Sequence, residues 1–139
     1  MIIENIKKIV NLWSDASNSN EQGVHRLAHE ANWEYAQGEY FEQLAQQHHQ
    51  KNGEQSHSDN QANDVSIHDN RNAMWNFLSA ALRGHRDAQY KLGISYLDGT
   101  LGLDKNYALA EIWLKKAADQ GHPEAINSLR TAYNDIAFS

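Results

Sequence analysis

Histidine is the residue type here with most to offer chemically: the chain has eight, against no cysteine. His25 and His29 stand four apart, which puts two imidazoles on one face of a helix and would let them share a metal ion. His48, His49, His57 and His68 fall in or beside a polar stretch. No acidic or thiolate partner completes a ligand set at either place. They therefore read as solvent-exposed polar side chains, and no metal or cofactor is expected. The lack of cysteine removes disulfides, thiolate zinc sites and cysteine nucleophiles. No phosphate-binding G-x4-G-K-[ST] loop, G-x-S-x-G elbow or His-Glu-x2-His helix is present. Carboxylates are scattered singly and form no acid–base pair. No catalytic residues are expected, so the chain reads as a protein that is not an enzyme.

Aromatic residues are the other candidates. Trp13, Trp33, Trp75 and Trp113 recur among alanines at helical spacing, which assigns most of them to a core. Trp33, Tyr35, Tyr40 and Phe41 crowd around Gly38 more densely than one helix stripe needs, so Trp33 and Tyr40 are read as lining a groove. His85 and His122 each follow a glycine at matching places, which suits a role at the start of a helix.

The elements that must position these residues are helical. There is one proline, Pro123, in 139 residues. Hydrophobic residues make up 40% and charged residues 22%, the range of a folded domain. The net charge of -6 and the absence of a basic block disfavour nucleic acid and anionic membrane surfaces as partners. The N-terminal segment is broken by Glu4, Asn5, Lys7 and Lys8, which is not a secretion signal, and no apolar run is long enough to span a bilayer. A cytoplasmic location is expected, or a periplasmic or secreted one if a signal has been removed.

Ile2, Ile3, Ile6, Ile9, Val10 and Trp13 mark an amphipathic helix over 2–13. Residues 14–20 are turn chemistry, with Ser19 or Asn20 as N-cap. Residues 21–49 form one long helix or two, with Gly38 at a break or a close contact. The stretch 50–70 opens with twelve residues lacking any apolar side chain, from Gln50 to Gln61, and is expected to be a disordered polar loop. Helices follow at 71–83, from 86 to near Gly99, at 105–119 with Asp104 as N-cap, and from Pro123 on. Gly84 and Gly121 sit in left-handed turns.

The strongest signal is internal repetition. Ala80-Ala81-Leu82-Arg83-Gly84-His85-Arg86-Asp87-Ala88 returns 37 residues later as Ala117-Ala118-Asp119-Gln120-Gly121-His122-Pro123-Glu124-Ala125. Leu92 meets Leu129 and Tyr96 meets Tyr133 at the same offset. That period belongs to stacked helix pairs. The alanines let helices approach closely, and Trp75, Tyr96, Trp113 and Tyr133 are expected to fill the gaps between pairs.

At this point the sequence resembles the Sel1-like repeats, relatives of the tetratricopeptide repeats. Ala88-x3-Leu92-Gly93-x2-Tyr96-x2-Gly99-x2-Gly102 is similar to the family's first helix and turn. Asp104, Ala108, Ala110, Trp113, Lys116-Ala117-Ala118 and Gly121 are similar to its second helix. Arg130 and Ile136 stand where glycines belong, so the last repeat lacks the family pattern and, on this reading, its second helix. Upstream, Gly38-x2-Phe41 could mirror Gly93-x2-Tyr96, or Tyr35-x2-Gly38 could mirror Tyr96-x2-Gly99.

The resemblance implies an all-α fold, a short right-handed solenoid of antiparallel helix pairs with a flexible polar insertion. The whole chain would be one domain. Residues 2–49 hold N-terminal helices and a divergent first repeat, 71–87 the second helix of that repeat, 88–121 the best-matching repeat, and 122–139 a C-terminal half repeat. It further implies a scaffold that binds a protein or peptide on its concave face, as in bacterial envelope, signalling or secretion assemblies. Gln89, Tyr90, Lys91 and Ser95 are the contact candidates on one helix, Asn127, Arg130 and Thr131 on the last. The alternative is self-assembly, a homodimer through the apolar arc of the last helix.

Overall fold

The computed structural model describes residues 20–52 and 59–138. The helix expected over 2–13 and the turn before residue 20 lie outside them. The described residues form five helices and no strand: α1 (Asn20–Asn52), α2 (Asp59–Leu82), α3 (Arg86–Asp98), α4 (Tyr107–Asp119) and α5 (Pro123–Phe138). Each packs against its neighbour in sequence.

α1 is one unbroken helix of 33 residues, about 50 Å long at 1.5 Å per residue. Gly38 does not break it. Ala31, Gly38 and Ala45 recur every seven residues as a buried stripe of minimal side chains. A Cβ added to Gly38 would lie 2.6 Å from two ring atoms of Phe77 on α2, itself fully buried. The glycine is therefore a seat for Phe77, and the helices approach closely there.

The expectation of a disordered loop over 50–70 is corrected. Residues 50–52 complete α1 and 59–70 open α2; only 53–58 fall outside the described residues. Polar composition misled because polar side chains on the described part of α2 find partners on α1. Ser66 Oγ donates to Ala45 O at 3.4 Å, and His48 Nδ1 lies 2.9 Å from Asp69 Oδ2. Ser66 and Asp69 are both buried. Small or mutually bonded polar groups can line a helix interface that apolar counting does not see.

The turns follow the glycine pattern. Gly99 caps α3 in the left-handed region (φ 72°), its N–H donating to Ser95 O. Leu101 also takes a positive φ (56°), held by insertion of its side chain into the core. The N-cap of α4 is Asn106, not Asp104: its side-chain oxygen accepts from Leu109 N at 3.0 Å. Two residues separate the candidates, and only Asn106 stands in reach of that N–H. Pro123 begins α5, where its missing N–H leaves nothing unsatisfied.

The structure settles which register relates the helix pairs. Gly93 seats Leu114 as Gly38 seats Phe77, with a built Cβ 2.6 Å from the leucine. Tyr35 stacks on His85 (4.5 Å between centroids) and Tyr90 on His122 (4.3 Å). Gly38 therefore matches Gly93, and Tyr35 matches Tyr90, both 55 residues apart, whereas Phe77 and Leu114 are 37 apart. The first pair holds the 18-residue excess, equal to about five helical turns shared between α1 and α2. The insertion is a longer hairpin, an arm projecting past the turn that ends the second pair.

Two clusters form the core. Ala73, Phe77, Ala80, Ala81, Ala88 and Leu92 join α2 to α3, with Trp113 packed alongside. Leu114, Ala117 and Ala125 join α4 to α5, with Tyr90 and Leu129 beside them. Trp75 does not fill a gap between pairs as expected: it is 59% exposed, on the outer side of α2. Tyr133 is also largely exposed, and Tyr96 is partly buried.

Candidate functional site

The side chains proposed from sequence divide sharply. Gln89 is buried (5% exposed): its Nε2 donates to Ala81 O at 3.1 Å, and its Oε1 accepts from Gln120 Nε2 at 2.7 Å. Tyr90 stacks on His122 inside the second cluster. Ser95 is 2% exposed. None of the three is free for a partner: Gln89 is bonded to α2 and to Gln120, Tyr90 packs against α4 and α5, and Ser95 is buried at the foot of a cleft. Lys91 is half-buried: its Nζ reaches Glu42 Oε2 on α1 at 2.7 Å and lies 5.6 Å from the Phe77 ring centroid. Asn127, Arg130 and Thr131 are exposed, with Thr131 Oγ1 donating to Asn127 O.

Trp33 and Tyr40 are 61% and 55% exposed. The register explains why. Trp33 matches Ala88 and Ala125, and Tyr40 matches Ser95 and Ala132. In α3 and α5 those positions face the preceding helix pair. Among the described residues α1 has no preceding pair, and its equivalents stand open.

His85 and His122 take the predicted role. Nδ1 of each accepts from the backbone N–H three residues on, Ala88 at 3.2 Å and Ala125 at 3.3 Å. A ring that accepts at Nδ1 must be neutral there. Burial lowers the pKa of His85 from its ordinary 6.5, with the nearby Asp87 carboxylate opposing. Among the described residues, which include His25, His29, His48, His49 and His68, no three potential metal ligands converge. His57 lies outside them.

Among the described residues several clefts stand open, one of about 490 Å³ between the start of α1 and the α2–α3 turn, and two others share matching positions. The first, about 670 Å³, lies between the arm and α3, lined by Glu42, Gln46, Asn70, Lys91, Ser95 and Asp98 and floored by Leu101. The second, about 390 Å³, is lined by Leu97, Tyr107, Ala110, Leu114, Leu129, Ala132, Tyr133 and Asp135. Four of their lining positions correspond. Asn70 and Tyr107, Ser95 and Ala132, Asp98 and Asp135 are each 37 residues apart, and Glu42 and Leu97 are 55 apart. Both clefts sit where the first helix of one pair, its partner and the first helix of the next pair meet.

Their surfaces differ. The first is the more polar of the two, and its Glu42–Lys91 pair crosses from α1 to α3. The second is apolar, with one polar edge: the Tyr133 hydroxyl donates to Glu111 at 2.7 Å. That bond to the carboxylate raises the Tyr133 pKa above its ordinary value. Asp98 and Asp135 have no partner among the described residues. Asp98 ends α3, where exposed carbonyls add to the negative potential.

Sequence reasoning missed Glu42, Asn70, Leu97, Asp98, Tyr107 and Asp135. Asn70 was lost with the supposed loop. The matching aspartates were visible at the repeat spacing, but only the fold places them on cleft rims.

Helix pairs stacked in register, each seating its partner on a glycine, define an α-helical repeat protein. The Sel1 repeat profile matches residues 86–122, which span α3, α4 and the turns around them. Over that stretch the chain carries a Sel1 repeat. Sel1 repeats generally mediate protein–protein interactions and are typically non-catalytic. No curated protein and no solved structure matches the chain. No described helix is long and apolar enough to cross a membrane.

Proposed function

We propose that this protein is an interaction scaffold that holds a segment of a partner protein along the two clefts. The observation that carries this reading is their recurrence. Four matching positions of successive pairs line both openings, so one extended segment can run from one cleft to the next. An all-helical chain with no described ligand centre needs no further chemistry to do this. The partner would contact Lys91, Asp98 and Asn70 in the first cleft and Tyr107 and Ala132 in the second, in place of Gln89 and Tyr90.

Site-specific photocrosslinking in the native host tests it. A crosslinking side chain at Asn70 or Ala132 should trap one stoichiometric partner protein. The same group at Trp75 or Ile112, matching positions on the outer side of α2 and α4, should not. Equal trapping from both sides, or from the outer side alone, would remove the clefts from the binding site.

The alternative, self-assembly through α5, draws support from the exposure of Ile126 and Tyr133. It meets an obstacle at Arg130, which stands where Gly38 and Gly93 admit a partner helix. A second copy could not seat a helix there as α2 and α4 are seated. Light scattering at high concentration separates the two readings, since the scaffold reading expects a monomer.

A further inference from the structure

Resting on that reading of the clefts, we propose that the segment they hold is cationic and carries one bulky apolar side chain. From the first cleft to the second, Glu42 becomes Leu97, Asn70 becomes Tyr107 and Ser95 becomes Ala132, three changes from polar to apolar. The fourth position does not change: Asp98 becomes Asp135. An aspartate kept while three matching positions turn from polar to apolar is a poor fit to packing alone and a good fit to a cation on the ligand.

The remaining charges point the same way. Lys91, the one ammonium on the first cleft, is already neutralised by Glu42 at 2.7 Å. Glu111, at the edge of the second, has Lys115 at 3.7 Å. Asp98 and Asp135 stand one repeat apart with no ion pair among the described residues. An acidic segment would meet two like charges there. A segment with two lysines or arginines would meet two acceptors, and arginine could bind each carboxylate with two hydrogen bonds. Between Leu97, Tyr107, Leu114 and Leu129 there is room for a leucine, methionine or phenylalanine side chain, and no buried polar group there would be left without a partner on its arrival.

A randomised twelve-residue peptide library, selected against the full-length chain, reads this out without assuming the spacing. The enriched peptides should carry net positive charge and one large apolar residue. Their affinity, measured by fluorescence anisotropy, should fall at least about tenfold in the Asp98→Asn, Asp135→Asn double variant, and should weaken as salt is raised. It should also fall in Ala132→Phe, which fills the second cleft, with circular dichroism checking that the variant folds. Trp75→Ala on the outer side should bind unchanged. Enriched acidic peptides that still lose affinity in Ala132→Phe would overturn the charge assignment and leave the clefts as the binding site. Peptides indifferent to Ala132→Phe, or no enrichment at all, would overturn the proposal, and the crosslinking experiment would then decide separately whether the clefts bind anything.

Discussion

The tightest constraints in this protein act on single glycines. Gly38 and Gly93 each have the next helix against them, and a methyl group at either would overlap Phe77 or Leu114 by more than either buried side chain can yield. Gly38→Ala is expected to destabilise the fold by about 1–3 kcal/mol, the usual penalty for overpacking a tight core. Gly23 is the control. It lies on the same helix with nothing within 4 Å of a built Cβ. Gly23→Ala should stabilise by up to about 1 kcal/mol through helix propensity alone. Thermal unfolding of both variants checks the contrast, and similar destabilisation by both would refute the seat.

A second residue-scale consequence follows from the helix caps. The folded state holds His85 neutral, because Nδ1 accepts from Ala88 N and burial disfavours the cation. Its pKa is lower folded than unfolded, so its contribution is complete above the ordinary histidine value of 6.5 and is lost as pH falls through and below it. His85→Asn keeps an N-cap acceptor without a titrating group. Its melting temperature should therefore drop less than that of the parent between pH 7.5 and pH 5. Equal drops would show that the imidazole does not contribute to acid sensitivity.

Among elements, the arm is the distinctive one. Near its end, Ala45, Ser66 and Asp69 are the buried residues, and the pair of His48 and Asp69 bridges the helices. Little apolar area holds this part together, so it should open more easily than the layer around Phe77. Hydrogen exchange should be faster over 44–51 and 65–70 than over 73–81. Asp69→Ala leaves His48 without its partner and should cost about 1–3 kcal/mol of local stability, faster exchange in the arm reporting it. The region 107–119 should not change.

At the scale of the whole molecule, stability is shared between neighbours. α5 packs on the second cluster beside Leu114, Ala117 and Tyr90, whereas the first cluster is built from α2, α3 and Leu101. Deleting 123–139 should melt α3 and α4 at lower temperature than the α1–α2 hairpin, replacing one cooperative transition by two. A single sharp transition in the truncated chain would mean that the two clusters behave as one.

Sequence and structure contributed at different ranges. Repeat spacing, glycine turns, histidine helix starts and the close contact at Gly38 were legible because each is a local constraint with a fixed period. Small residues recur wherever helices must touch, whatever else surrounds them. The arm, the burial of Gln89 and Ser95, the exposure of Trp33 and Trp75, and the matching clefts were decided only by the tertiary structure. A polar side chain is buried or open according to what lies across from it, and at Ser66, Asp69 and Gln89 the answering group is 21, 21 and 31 residues away in sequence.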